Sequence, residues 1–247
     1  MSAAALAVGY GVLSALLREP DGETLEALGE TGSVEALERA AAALGGAAPA
    51  AAARLDRALR SADAESVRAE RGRAFGHAVR GPCPPYELEY GGEHFLAKSH
   101  RLGDLSAFYR AFGVEIGREA HERADHAAAE AEFLLYLVIK RATAEEEGAA
   151  ERAAVCRNAE RRFLEEHLGW FLPALAARVE RREPGGVLDA TLALGVEVVR
   201  AHAASCGARL GSADLALREV GSEDEETVVT CSAGDPLAAA SARGFEV

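Results

Sequence analysis

Apolar residues recur three and four positions apart along most of this chain, and runs that alternate apolar with polar residues are nearly absent. A helix turns once in about 3.6 residues, so this spacing lines one helical face with side chains that must be buried against neighbours. Leu6, Tyr10, Leu13 and Leu17 form such a stripe, and Pro20 and Gly22 end it. Leu105, Phe108, Tyr109 and Phe112 repeat the pattern, with Gly113 in place as a C-terminal cap. Alanine is the commonest residue and only 8 of the 247 residues are proline, a composition that favours helix almost everywhere. The expectation is an all-α fold, a single helical domain of about seven to nine helices, with room for two lobes meeting at a hinge near residues 113–125.

Other boundaries follow from the same rules. A helix is predicted from Ser33 as N-cap to Leu44, after which Gly45 and Gly46 lead into an alanine-rich stretch that reads as linker or helix. Leu55, Leu59 and Val67 then lead on to Phe75. Pro82, Pro84 and Pro85 fix φ and remove three backbone donors, so the segment around them is an ordered, non-helical connection. A long helix is expected over 125–147, with Ala127, Ala131, Leu134, Leu135 and Val138 buried, and another over 151–167 through Val155, Ala159 and Phe163. Trp170, Phe171 and Leu172 stand ahead of Pro173 as a bulky apolar junction. A further helix stops at Gly185 and Gly186, and the last carries Leu188, Leu192, Val196 and Val199 on one face. Residues 1–206 are thus assigned to the helical domain, and 207–247, with the acidic block Glu223–Glu226, to a partly disordered tail.

Charge limits the partners. The chain holds 40 acidic and 27 basic residues, a formal charge of -13, so nucleic acid and anionic lipid would be repelled and a cationic partner attracted. The apolar N-terminus has no preceding basic residue and is interrupted by Arg18 and Glu19, which argues against a signal peptide and against stable membrane insertion. Cys83, Cys156, Cys206 and Cys231 are far apart and form no C-x-x-C pair, so reduced thiols are expected. The protein is expected to be soluble and cytoplasmic.

Two constellations carry chemistry. Glu122, His126 and Glu130 lie four apart, and His121 with Asp125 makes a parallel pair, so a helix through them would align imidazole and carboxylates along one strip. Three readings stay open: a metal site, which would support a helical metal-dependent hydrolase or oxidase; a solvated face of weak ion pairs; or a polar binding site in which a carboxylate beside His126 accepts a guanidinium. Tyr86, Glu87, Glu89 and Tyr90 follow the prolines and combine two phenols with two carboxylates, or else form a helix N-terminus with packed tyrosines. Arg161 and Arg162, four residues before Glu165 and Glu166, read as surface ion pairs. No nucleophile elbow, phosphate loop or H-E-x-x-H motif occurs, so the residues leave an enzyme unsupported without excluding it.

The succession of segments 82–90 (PCPPYELEY), 107–115 (AFYRAFGVE), 121–137 (HERADHAAAEAEFLLYL) and 163–173 (FLEEHLGWFLP) resembles the TorD-like chaperones, including the NarJ or nitrate reductase delta group, over roughly residues 5–205. The PPYELEY stretch is similar to the delta-subunit chaperones of ethylbenzene dehydrogenase, dimethylsulfide dehydrogenase and selenate or chlorate reductase. The resemblance implies an all-helical protein without cofactor or catalysis, monomeric or homodimeric. Its implied partner is the apo catalytic subunit of a DMSO-reductase-type molybdoenzyme, bound through its twin-arginine signal peptide and held until molybdenum cofactor insertion. The family's Glu-x-x-Asp-His signature falls on Glu122, Asp125 and His126, and its Pro-x-Glu-x-x-Tyr element on Pro85, Glu87 and Tyr90. Tyr86 and Phe75 are added as apolar lining. Ala124 stands where the family has proline, and Ala74 where its aromatic-x-x-Leu-Phe element has leucine.

Overall fold

The computed structural model describes residues 2–76, 78–91, 95–115 and 123–218. Expectations for His121, Glu122, much of the hinge near 113–125 and the tail beyond Arg218 lie outside the described residues.

Ten α-helices and one 3-10 turn make up the described chain, in which no strand occurs beyond two isolated bridges. They are α1 Ala3–Leu17, α2 Gly22–Gly29, α3 Thr31–Leu44, α4 Ala48–Arg60, α5 Ala64–Phe75, α6 Phe95–Ala111, α7 Ala127–Glu146, α8 Ala150–Glu166, α9 Leu168–Arg182 and α10 Val187–Cys206. The fold is all-α as the periodicity requires, with slightly more helices than expected. The surplus lies at the N-terminal side, where Asp21 accepts a hydrogen bond from the Thr24 amide at 2.8 Å and starts the short α2 directly after Pro20. Glu30, in extended conformation, then separates α2 from α3 and takes the capping place assigned to Ser33, which instead lies inside α3. The alanine-rich stretch is helix: Pro49 sits in the first turn of α4, where its missing N–H costs nothing, and Ala52 and Leu55 are buried.

The apolar stripe of α1 is the centre of the core. Leu6, Tyr10, Leu13 and Leu17 are all buried, and α1 packs on α3, α7 and α10. Gly9 permits the closest approach, since a Cβ there would lie 2.6 Å from Val198 Cγ2 of α10. A polar chain crosses the same helices. The Tyr10 hydroxyl lies 2.9 Å from His202 Nδ1, His202 Nε2 lies 2.9 Å from Glu160 Oε2, and Arg141 Nε donates to Glu160 Oε1 at 2.8 Å. A carboxylate only accepts, so His202 donates to Glu160 through Nε2.

Trp170, Phe171 and Leu172 are not a junction between helices but the first turns of α9, which contains Pro173. Proline leaves the carbonyl four residues back without its helical donor, so the oxygen of Gly169 needs another partner. The Gly211 amide supplies it at 3.0 Å. No helix among the described residues is long and apolar enough to cross a membrane.

Candidate functional site

The prolines and the start of α7 are stitched together by backbone. Glu87 N–H donates to the Asp125 carbonyl at 2.9 Å and Ala127 N–H to the Pro85 carbonyl at 2.8 Å, an antiparallel bridge between Tyr86 and His126. Pro85 accepts and need not donate, which suits a proline beside a pairing residue. Beyond Tyr86 the chain makes a single 3-10 turn, Glu87–Glu89. The long helix thus starts at Ala127 with His126 as N-cap, two residues later than expected, and Asp125 lies ahead of it in a turn. His126 Nδ1 accepts from the Ala128 amide at 3.0 Å, so imidazole does the work usually given to Ser or Asp.

Four acids converge here, and all are buried: Glu87, Glu89, Asp125 and Glu130. Arg123 grips Asp125 in bidentate fashion, with Nε to Oδ1 at 2.9 Å and Nη2 to Oδ2 at 2.7 Å. Asp125 Oδ2 also accepts from the Leu88 amide at 3.2 Å. Glu87 accepts from Arg101 at 3.1 Å and lies 3.0 Å from His167 Nδ1, which therefore donates. Glu89 accepts from Arg80 at 3.0 Å and from Arg123 at 3.4 Å. The Arg123 guanidinium lies over the Tyr86 ring at 4.7 Å, and Tyr86 meets His126 edge-on at 5.3 Å. The result is a guanidinium cradle of carboxylates and one aromatic face.

Burial dominates the titration of these groups. It pushes the Asp125 carboxyl upward, while Arg123 and the Leu88 amide pull it back. It pushes Glu130 well above the ordinary carboxylate range, reinforced by the charges of Glu87 and Asp125 and by a carboxyl–carboxyl contact with Glu87. Burial and the neighbouring carboxyl groups of Glu87 and Asp125 thus favour the protonated form of Glu130. His126 is lowered to about 3 by burial, with Arg71, Arg18 and Arg123 adding to the shift, so it is neutral at physiological pH.

The structure brings together Pro85, Tyr86, Glu87, Tyr90, Asp125 and His126 from the sequence-based set. Tyr90 is buried, donates to the Pro84 carbonyl at 2.9 Å and packs on Phe171. Phe75 lies apart under the Arg71 guanidinium at 5.0 Å, and its link to the group runs through Arg71, one of the charges that depress His126. Glu122 lies outside the described residues. A metal reading finds no support in the described part of the strip. Asp125 is occupied by Arg123 and His126 Nδ1 by an amide, burial disfavours a charged Glu130, and no metal-binding group of three or more ligands occurs among the described residues. Sequence reasoning passed over Arg80, Arg101, Arg123 and His167. Only Arg123, two residues from Asp125, carried a local signal; Arg101 and His167 reach Glu87 from α6 and from the junction of α8 with α9.

Residues 41–177 match the profile of the family described as nitrate reductase delta subunit. The chain belongs to that family. Curated relatives of this nitrate reductase delta subunit family member include the perchlorate reductase assembly chaperone protein of Dechloromonas aromatica (strain RCB), 36% identical over 49% of this chain and 54% of the relative. The selenate reductase assembly chaperone protein of Thauera selenatis is 32% identical over 45% of this chain and 56% of the relative. The chlorate reductase assembly chaperone protein of Ideonella dechloratans is 35% identical over 33% and 42%. The matched part spans about half the length of these relatives. No solved structure matches the family member at a significant level.

Proposed function

We propose that this chain is an assembly chaperone for a molybdenum-containing reductase, holding the apo catalytic subunit in the cytoplasm until its cofactor is inserted and binding its twin-arginine signal peptide. Family membership and the assembly chaperones among its relatives support the chaperone part. The observation that carries the peptide part is the bidentate seat of Arg123 on Asp125, flanked by Glu87, Glu89 and the Tyr86 ring. A site whose acids already select guanidinium groups has the chemistry to take them from a client by exchange. In this reading Asp125, with Glu87 and Glu122, receives the client arginines. His126 fixes the start of α7, just behind the turn from which Asp125 projects. Pro85 sets the rim, Tyr86 and Tyr90 line the apolar side, and Phe75 supports it through Arg71.

Calorimetric titration with a synthetic peptide of two adjacent arginines followed by an apolar stretch tests this. Asp125→Ala is expected to weaken binding by about 1.5–3 kcal/mol, the value of a charge-assisted hydrogen bond. Wild-type affinity in the folded variant would remove Asp125 from the site. Capture of the client from the native host, followed by mass spectrometry, would identify the catalytic subunit or show that there is none.

A further inference from the structure

Beyond α10 the described chain turns back over this site in two parts. The first is locked. The Arg209 amide donates to Glu165 at 3.2 Å, and the Gly211 amide fills the carbonyl of Gly169 that Pro173 leaves open. Gly211 lies so close to α9 that a Cβ would sit 1.8 Å from the Trp170 carbonyl oxygen. The second part begins at the surface. Ser212, Ala213 and Asp214 are exposed, and the segment then pairs with the chain just past the 3-10 turn through two backbone bonds. Gly91 N–H donates to the Ala216 carbonyl at 2.9 Å and Arg218 N–H to the Glu89 carbonyl at 2.8 Å, an antiparallel bridge between Tyr90 and Leu217.

The side chains of this segment match the acids beneath them. The Arg218 guanidinium, only 7% exposed, lies 3.9 Å from the carboxylate of Glu89, which also holds Arg80 and Arg123. Leu215 and Leu217 pack against the core on the same approach. An extended backbone edge, an acid beside it and an apolar border together fit a strand-like peptide that carries leucine and arginine.

We propose that the edge Glu89–Gly91 is a docking strip for an extended, arginine-bearing apolar segment of the client, and that the chain's own Leu215–Arg218 occupies it as a stand-in which the client displaces. This rests on the reading of the acid cluster as the client site and adds the mode of docking, strand addition. The anchor at Gly211 keeps the stand-in close, at an effective concentration of about millimolar, enough to screen out weak ligands and yield to a strong one.

Arg218→Pro in the full chain removes the amide donor and the guanidinium together. Fluorescence anisotropy is read with two labelled peptides, one with two adjacent arginines followed by an apolar stretch and one copying residues 212–218, while circular dichroism follows the fold. The variant is expected to bind the twin-arginine peptide at least about tenfold tighter than wild type, by loss of the competitor, and to gain binding of the copied segment. Equal binding by both proteins, abolished by Asp125→Ala, would overturn the strip and leave the client site standing. Gain of the copied segment with no twin-arginine binding by either protein would keep the strip and sink the twin-arginine reading. Weaker binding by the variant would make the segment part of the site and overturn its role as stand-in, and no binding of either peptide would overturn both. Should Arg218→Pro fail to fold, Arg218→Glu sets like charge against Glu89 without touching the backbone and carries the same expectations.

Discussion

Two buried polar networks in this molecule use the same residue types and are built for different ends. Tyr10, His202, Glu160 and Arg141 project from α1, α10, α8 and α7, and each regular helix fixes its side chain by packing. Glu87, Glu89, Asp125 and His126 project from a 3-10 turn, an interhelical turn and an N-cap, where backbone bonds between loops do the positioning. The cations differ as well. Arg141 is 10% exposed, whereas the side chains of Arg101 and Arg123 are 29% and 26% exposed over acids that are nearly sealed. A guanidinium that reaches its acid from solvent can leave without stranding itself in the core. The helix-borne network is therefore built as a staple, whereas in the proposed function the loop-borne one exchanges the partly exposed Arg101 and Arg123; Arg218, 7% exposed on Glu89, is the exception among its cations.

The most severe way to break this comparison is Glu160→Ala, which takes from Arg141 its buried partner, leaving only the more exposed Glu145, and leaves His202 without its acceptor. A loss of about 3 kcal/mol in urea unfolding is expected, typical of breaking a buried pair from one side, with peptide affinity unchanged in the fraction that folds. Lost peptide affinity there would erase the distinction between the networks.

The loop-borne network and Glu130 of α7 beneath it should show themselves through pH, with two opposite signs. His126 titrates near 6.5 when unfolded and is lowered to about 3 when folded, so the native state resists its protonation. That part of the stability is intact above about pH 6.5 and is lost as pH falls toward about 3. His126→Asn keeps a capping acceptor without the titration, so urea unfolding at pH 7 and pH 4 should show a smaller acid loss than in wild type. Glu130 has the reverse linkage: its folded value is raised, so the unfolded chain releases the proton first and stability falls as pH rises above about 4.3. Glu130→Gln should gain on wild type between pH 4 and pH 7, and a parallel pair of profiles would mean that Glu130 is ionised in the fold. The smallest effect belongs to Arg162→Ala, an exposed partner of Glu166, where thermal unfolding should register no more than about 0.5 kcal/mol and binding no change.

Much of the scaffold could be read from residue spacing. The stripe Leu6–Tyr10–Leu13–Leu17 is the buried face of α1, and Gly113, with φ of 78°, follows α6 as the cap its place implied. Arg161 and Arg162 pair with Glu165 and Glu166 as their four-residue offset required. The helix α2 escaped notice because eight residues carry too little periodicity to stand out, and its start depends on one side-chain cap at Asp21. In the site, the sequence brought forward Glu87, Tyr90, Asp125 and His126 but not Arg101 or His167, since no spacing rule links residues 14 or 80 positions apart.

The sequence alone determined that the chain is helical, where the apolar faces run and that its charge favours a cationic partner, because those properties are set within a turn or two and by simple sums. Only the tertiary structure decided which arginine meets which acid, that burial raises the Glu130 carboxyl, and that a carbonyl freed by Pro173 draws the chain beyond α10 back over the site. Desolvation and long-range pairing exist only once distant segments have closed on one another, and no local pattern encodes them.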